Sequence, residues 1–273
     1  MTTPSPLRVI PKLLTIIAAS TLIGVSISSA AIIYQEDFSG GNTGLNNTSP
    51  DVLPEGSSAT WVAGSAFREN GAYTGVGNVG QSAWLPYTFE NGQIYEATLS
   101  ISLIPSSNTS WFSLGFSNRE TLIPTLMNGT DQAGPGAMGW AILRQNGNWL
   151  AFNGPGTNPA ATGIGGTGMN DNPSPFGDSV TNATIRLVLD TRGPRYLLDL
   201  YINDVHLDLA GTGLTYTFPT AQQFTGVGIG SSNSDIGTFQ QFTFSVIPEP
   251  SSVALLAFGS VLAIGVLRRA RRA

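Results

Sequence analysis

Pairs of acidic residues are candidate catalytic groups, because hydrolysis of a glycosidic bond needs two carboxylates that face each other across a cleft. The closest pair in the chain is Glu36 and Asp37. Adjacent side chains of a strand point to opposite faces, so these two carboxylates are expected to point apart. No Glu-x-Asp-x-Glu string, which would bring acids onto one face, occurs in the chain. We predict no catalytic residue, and a carbohydrate-active enzyme is the alternative function.

A nucleophile is equally hard to find, since the chain has no cysteine and a single histidine. These counts exclude a cysteine nucleophile, a disulfide framework, a thiolate zinc site and paired-histidine metal sites within this chain. His206 would share a strand face with Asp208. No Gly-x-Ser-x-Gly string selects a serine to complete a triad. We predict that His206 is a surface or rim residue.

Oxygen ligands for a metal are concentrated around a Gly-, Asn- and Pro-rich segment, residues 154–177, which predicts a long loop. Asp171, Asn172 and Asp178 could bind calcium through their side-chain oxygens. Their spacing is not that of an EF-hand. We predict solvated loop acids, no metal site and no cofactor, with a structural calcium ion as the alternative.

Tryptophans suggest a sugar-binding surface, because a flat indole matches the apolar face of a pyranose and keeps a polar N–H. Trp111 lies beside Phe112 in an apolar run, which favours a place in the core. Trp140 and Trp149 flank the turn at residues 145–148. These two are the candidates for glycan contact, and core packing is the other interpretation for each.

The charge distribution excludes several partners. The chain carries a net charge of −5, and only 11% of its residues are charged. Half of its twelve basic residues lie at the two ends, so residues 31–247 hold six arginines against sixteen acidic residues, a net charge of −10. This middle region is expected to avoid nucleic acids and anionic lipid.

The two ends have the composition of targeting segments. Residues 1–31 have a basic start with Arg8 and Lys12, an apolar run over residues 13–27, and small residues at 28–31. This order predicts a secretory signal peptide cleaved after Ala30 or Ala31. A retained N-terminal membrane helix is the alternative.

The C-terminal end combines three features in order. Pro248, Glu249 and Pro250 predict an extended segment, because each proline disfavours a helical conformation in the residue before it. The uncharged run at residues 251–267 is just long enough for a membrane span. A basic cluster follows, formed by Arg268, Arg269, Arg271 and Arg272. The cluster should stay cytoplasmic, which agrees with a middle region exported by the N-terminal signal.

Pro-Glu-Pro, one short hydrophobic span and a terminal basic cluster together resemble the PEP-CTERM family of bacterial sorting tails. The match covers residues 248–272. The resemblance implies recognition by an exosortase-type membrane transpeptidase, which would remove the tail and release the outer domain to the cell surface or its exopolysaccharide. A plain C-terminal anchor is the alternative.

The middle region alternates apolar and polar residues, as half-buried strands do. Tyr95, Leu99 and Leu103, for example, share one face of the segment 93–103. Ten strands are predicted, at residues 31–35, 83–89, 93–103, 111–117, 138–144, 149–153, 184–190, 195–203, 224–230 and 239–246. With no helical periodicity between them, they indicate an antiparallel two-layer sandwich.

The segments 185–204, 226–230 and 242–244 resemble the later strands of concanavalin-A-like and laminin-G-like jelly rolls, and the opening residues 36–40 are also similar to such domains. The predicted organisation is a signal peptide at 1–31, a β-sandwich at 32–246 and a sorting tail at 247–273. The predicted function is a non-enzymatic component of the bacterial cell surface or extracellular matrix. It would start as an inner-membrane precursor and act as an adhesive or polysaccharide-binding protein.

Overall fold

The computed structural model describes most of the predicted outer domain. The described residues are 30–75, 80–104, 110–118, 122, 137–152, 163–164, 180–209, 215–219 and 223–248. They all belong to one compact unit, Ser28–Ser252. The signal segment up to residue 29, the tail from Glu249 onward and the loop acids Asp171, Asn172 and Asp178 lie outside the described residues, so what was inferred for them stays a prediction.

Strands account for nearly all regular structure. They are β1 (Ala31–Glu36), β2 (Val62–Ala63), β3 (Gln81–Pro86), β4 (Ile94–Leu103), β5 (Trp111–Ser117), β6 (Ala137–Arg144), β7 (Trp149–Phe152), β8 (Gly163–Ile164), β9 (Asn182–Asp190), β10 (Leu197–Ile202), β11 (Val205–Leu207), β12 (Tyr216–Thr217), β13 (Gly226–Ser231) and β14 (Gly237–Ile247). The described residues include one 3₁₀ turn, Ser234–Ile236, and no α-helix. Over that same part of the chain, no helix has the length and apolar character needed to cross a membrane.

The strands form two antiparallel sheets. The first sheet has the order β1-β14-β4-β9-β10-β11, with β12 also paired to β10, and the second has the order β2-β3-β13-β5-β6-β7-β8. The chain changes sheet six times, from β1 to β2, β3 to β4, β4 to β5, β8 to β9, β12 to β13 and β13 to β14. Such crossing between two sheets is typical of a jelly roll. The predicted all-β, two-layer antiparallel sandwich is confirmed.

One face of the first sheet packs in the core, and the other faces solvent. Along β4, buried and partly exposed residues alternate without a break. Tyr95 and Leu99 point into the core, while Glu96 and Thr98 point outward. The partner strand β9 alternates in the same way. This period of two is the sequence signal that predicted the strands, and it fixes their register, because a slip of one residue would turn every apolar side chain outward.

The second sheet is buried on both faces. Every residue of β5 and of β13 is buried. Its inner face joins the main core, and its outer face carries a separate apolar cluster, which we call the tryptophan face: Trp84, Trp111, Trp140, Ile142 and Phe152. Glycines of β13 make room for these rings, since a Cβ added to Gly228 would stand 2.5 Å from the Trp84 indole. Large rings thus cover backbone that has no side chain of its own.

All ten predicted strands are present, with ends shifted by a few residues. The prediction missed four short strands, β2, β8, β11 and β12, which contain two or three residues each. One of them, β8, lies within the segment predicted as a long loop. A tight turn joins β10 to β11, and its residues Asn203 and Asp204 adopt φ angles of 48° and 63°.

Candidate functional site

A cleft opens at the end of the sandwich where the chain passes from β3 to β4. Its volume is about 990 Å³, at the upper end of the range of roughly 300–1,000 Å³ usual for ligand sites. Three loops form its walls, residues 54–57, 86–91 and 223–225, together with the side chains of Tyr34 and Tyr196. We call this site the tyrosine cleft.

Both ends of the domain leave the sandwich at the same end as the tyrosine cleft. Ile247, the last residue of β14, pairs with Ile94, the first residue of β4. Ala31, the first residue of β1, pairs with Val246. Cleavage after Ala30 would leave β1 whole, and cleavage after Ala31 would remove only its first residue.

Aromatic rings from β1 and from the loops beside it form the floor of the cleft. Tyr87 lies 5.0 Å from Phe89 and 6.3 Å from Tyr34, measured between ring centroids. Phe89 in turn packs 4.9 Å from Tyr95 and 5.6 Å from Phe224. Most of these contacts are edge-to-face, the geometry that aromatic quadrupoles prefer. Tyr87 and Phe89 are each partly exposed, and both line the cleft.

The phenol groups are held in place by hydrogen bonds. The Tyr34 hydroxyl donates to the carbonyl of Pro86 at 2.6 Å, and that of Tyr196 donates to the side-chain oxygen of Asn91. Burial raises the pKa of Tyr34. Burial is also the main cause that raises the pKa of Tyr87, with further contributions from Tyr95 and from the negative charge of Glu90. With their pKa raised, the phenols of Tyr34 and Tyr87 stay neutral at physiological pH.

The loop that carries Glu90 is pinned at its backbone. The Glu90 amide donates to the Tyr95 hydroxyl at 2.7 Å. The Glu90 carbonyl accepts a hydrogen bond of 2.9 Å from the hydroxyl of Thr191, a residue only 1% exposed. The Thr191 hydroxyl also accepts from the amide of Gln93 at 3.1 Å. These hydrogen bonds therefore fix the backbone at Glu90 in the absence of a ligand.

Glu55 stands on the opposite loop, at the tip of a turn. The Ser57 amide donates to the Pro54 carbonyl at 2.9 Å, and Gly56 has a φ of 76°. A positive φ at the third position of a turn is the reason for a glycine there. Glu55 and Glu90 are both exposed, and no other charged residue lines the cleft within the described part of the chain.

A second group of acids lies near the end of β1. Carboxylate oxygens of Glu36, Asp37 and Asp51 come within 4.8 Å of one another. Glu36 is buried and accepts a hydrogen bond of 3.1 Å from the Trp61 indole. The pKa of Glu36 is raised to about 7, chiefly by burial and also by the charge of Asp51, while the hydrogen bond from Trp61 acts in the opposite direction.

The expectation that Glu36 and Asp37 point apart is wrong for their carboxylates. Their burial does differ, since Glu36 is buried and Asp37 exposed. The strand ends at Glu36, however, and Phe38 turns the chain with a φ of 51°. Strict alternation therefore stops before Asp37, and the two acidic groups approach each other.

The two predicted tryptophans do not line the tyrosine cleft. Trp140 has no exposed surface, and its ring stacks on Phe152 at 4.1 Å and 16°. Trp149 is 6% exposed and packs in the main core. These positions match the alternative interpretation, in which both indoles pack in the interior. Of the predicted sorting residues, only Pro248 is described, just after β14.

His206 is a partly exposed residue of the first sheet. Its Nε2 lies 3.1 Å from the carboxylate of Asp199, and its ring stacks on Tyr201 at 4.4 Å. The carboxylate belongs to the neighbouring strand β10, and the partial exposure of His206 agrees with the predicted surface or rim position. Because the Thr215 hydroxyl donates to the same Asp199 oxygen at 2.6 Å, this carboxylate serves a local hydrogen-bond network.

Sequence reasoning missed every side chain of the tyrosine cleft as a site residue. The signal that could have found it is the segment 86–91, Pro-Tyr-Thr-Phe-Glu-Asn. It places aromatic and polar residues together where one strand ends and the next begins. Loops of this kind on a rigid sheet scaffold are frequent binding sites.

Comparison with known proteins gives no family. No family model matches the chain, and no curated protein matches it. Among solved structures, the chain is similar to the carbohydrate recognition domain of Emp47p, with 13% identity and a TM-score of 0.43 over 81% of this chain and 99% of that one. It is similar to an endo-1,3-β-glucanase from Streptomyces sioyaensis, with 12% identity and a TM-score of 0.46 over 81% and 97%. The carbohydrate-binding module CBM66 from Bacillus subtilis matches with 12% identity and a TM-score of 0.37 over 68% and 91%. Identities and scores this low assign neither a family nor a ligand.

Proposed function

We propose that this protein is an exported, non-enzymatic bacterial surface component that binds polysaccharide in the tyrosine cleft. The observation that carries the proposal is the cleft itself, an aromatic floor with a polar rim on a preformed sandwich end. Partly exposed rings offer flat apolar surface to the CH face of a pyranose, and rim groups can bond its hydroxyls.

The geometry supports binding at low ordering cost. Backbone hydrogen bonds fix the loop at Glu90 through Tyr95 and Thr191. The Tyr87 amide donates to the carbonyl of Thr225 at 3.0 Å, which ties the second cleft loop to the third. A site that is already ordered loses little conformational entropy when a ligand enters.

A glycoside hydrolase is the second candidate, because two carboxylates, Glu55 and Glu90, line one cleft. Hydrolysis needs a general acid that its surroundings keep protonated until it donates its proton to the leaving group. Within the described part of the chain, no hydrogen bond or ion pair engages either carboxylate. Because no partner among the described residues orients the carboxylates of Glu55 and Glu90, binding is favoured over catalysis.

A glycan array combined with a reducing-sugar release assay separates the two functions. We expect retention of glycans by the outer domain, residues 32–247, without release of reducing ends, and the same retention after treatment with a chelator. Release that disappears in Glu90→Gln would establish the hydrolase instead. Absence of both binding and release would refute a glycan function.

The route to the surface is the second part of the proposal. An exosortase-type transpeptidase recognises the extended segment Pro248, Glu249 and Pro250, and the cluster Arg268, Arg269, Arg271 and Arg272 keeps the tail on the cytoplasmic side of the inner membrane. The support is the order of these features in the sequence.

Replacing Pro248, Glu249 and Pro250 by alanine tests this route. Export and folding should be unaffected, because the signal peptide and the sandwich lie elsewhere, but the protein should accumulate in the inner membrane. Fractionation followed by intact-mass measurement reports both results. A variant that reaches the cell surface as efficiently as the wild type would disprove exosortase sorting, and removing only the four arginines is the control for topology.

A further inference from the structure

The charges of the tyrosine cleft restrict the class of glycan that it accepts. Among the described residues that line it, Glu55 and Glu90 are the only charged ones, so the fixed charges in this part of its wall are negative. Arg192, which follows Thr191 in the chain, is bound to Asp190 at 2.6 Å rather than to Glu90. An anionic polysaccharide would have to bring its own negative charges against these two carboxylates, which costs free energy.

The carboxylates are placed where a ligand would meet them. Glu90 projects from a backbone clamped by Tyr95 and Thr191. Glu55 projects from the turn on the other side of the cleft. Both side chains are exposed and unpaired among the described residues. They can therefore accept a charge-assisted hydrogen bond without first giving up a partner.

The floor favours the same kind of ligand. The rings of Tyr87 and Phe89 are partly exposed and line the same cleft as the two acids. An ammonium group above an aromatic face is attracted by the ring quadrupole. Aromatic faces that share a cleft with two carboxylates suit a cation better than a neutral group, although a neutral hydroxyl can also donate to a carboxylate.

We propose that the tyrosine cleft selects glycans that carry protonated amino groups, such as glucosamine oligomers, over their N-acetylated and anionic counterparts. This inference rests on the glycan-binding function proposed above. The carboxylates of Glu55 and Glu90 bind the ammonium groups, and Tyr87 and Phe89 contact the sugar ring.

Calorimetric titration of the full chain tests the selection. The detergent should be a polyoxyethylene rather than a glycoside, because a glycoside head group could enter the cleft. The ligands are a glucosamine tetramer, its fully N-acetylated form and a galacturonate tetramer, in a weakly acidic buffer that keeps the amines protonated. We expect the glucosamine tetramer to bind about tenfold more tightly than the acetylated one, as one charge-assisted hydrogen bond would produce. The galacturonate tetramer should bind most weakly.

Two double variants separate local recognition from general charge attraction. Glu55→Gln with Glu90→Gln should abolish the preference for the amine while the acetylated tetramer still binds. Asp204→Asn with Asp235→Asn removes the same charge from exposed positions at the other end of the sandwich and should keep the preference. If both double variants lost the preference for the glucosamine tetramer to the same extent, the inference would be overturned.

The remaining outcomes are also distinct. Equal affinity for the amino and acetylated tetramers would overturn the selection while leaving glycan binding in place. No binding of any tetramer would overturn the inference, and the glycan array described above would then decide whether the proposed function fails with it.

Discussion

The tryptophan face and the tyrosine cleft are both aromatic, yet only the cleft offers its rings to solvent. Trp140 has no exposed surface and Trp84 is 4% exposed. Tyr87 and Phe89 remain partly exposed. The cause is position in the sheet. The indoles lie over the middle of the second sheet, whereas the cleft rings lie at strand ends, where the chain passes between sheets. Location relative to the sheet, rather than ring type, decides whether an aromatic residue can meet a sugar.

Removing Trp140 is expected to give the largest effect. Trp140→Ala should lower the free energy of unfolding by about 3–5 kcal/mol, the usual cost of removing a buried tryptophan. Chemical denaturation followed by circular dichroism measures it. Glycan affinity of the folded variant should be unchanged. A Trp140→Ala variant that is fully stable but unable to bind glycan would show that the tryptophan face, rather than the tyrosine cleft, binds the ligand.

A third tryptophan sharpens the comparison, because the Trp61 N–H is already bound to Glu36 inside the core. The pKa of Glu36 is raised to about 7, so the folded state holds this proton more tightly than the unfolded chain. The free energy of unfolding should therefore fall as pH rises from about 4.5 to about 7, by roughly 1–3 kcal/mol. Denaturation curves across this pH range measure the fall.

Glu36→Gln should remove that decrease, since glutamine resembles the protonated acid and can still accept from Trp61. The variant should be more stable than the wild type above pH 7. Asp235→Asn, at an exposed position, should retain the decrease. A Glu36→Gln protein with the same pH dependence as the wild type would show that another group causes it.

The smallest expected effect concerns the cleft itself. Tyr87→Leu should weaken glycan binding about tenfold, or roughly 1.4 kcal/mol, because it removes a flat ring from the floor. Tyr87→Phe keeps the ring and should bind almost normally. Tyr201→Leu removes a partly exposed tyrosine from the outer face of the first sheet, so it should leave affinity unchanged. Similar losses in all three variants would count against the cleft as the binding site.

Sequence reasoning predicted the sandwich because period-two alternation is a local property. The face of β4 that holds Tyr95 and Leu99 can be found by counting residues. The cleft could not be predicted in this way, because Glu55 and Glu90 are brought together by loops 35 positions apart in the chain. The burial of Trp140 depends on residues across the sheet, among them Phe152.

One consequence follows from the point at which the chain enters and leaves the sandwich. Because β1 begins and β14 ends beside the tyrosine cleft, an affinity tag or fluorescent fusion at either terminus would obstruct access of a ligand to the cleft. The turn at Asn203–Asp204 lies at the opposite end, and the chain has no cysteine. Val205→Cys, at a position 41% exposed, would therefore give a single thiol for immobilising the protein on a sensor surface with the cleft facing the solution.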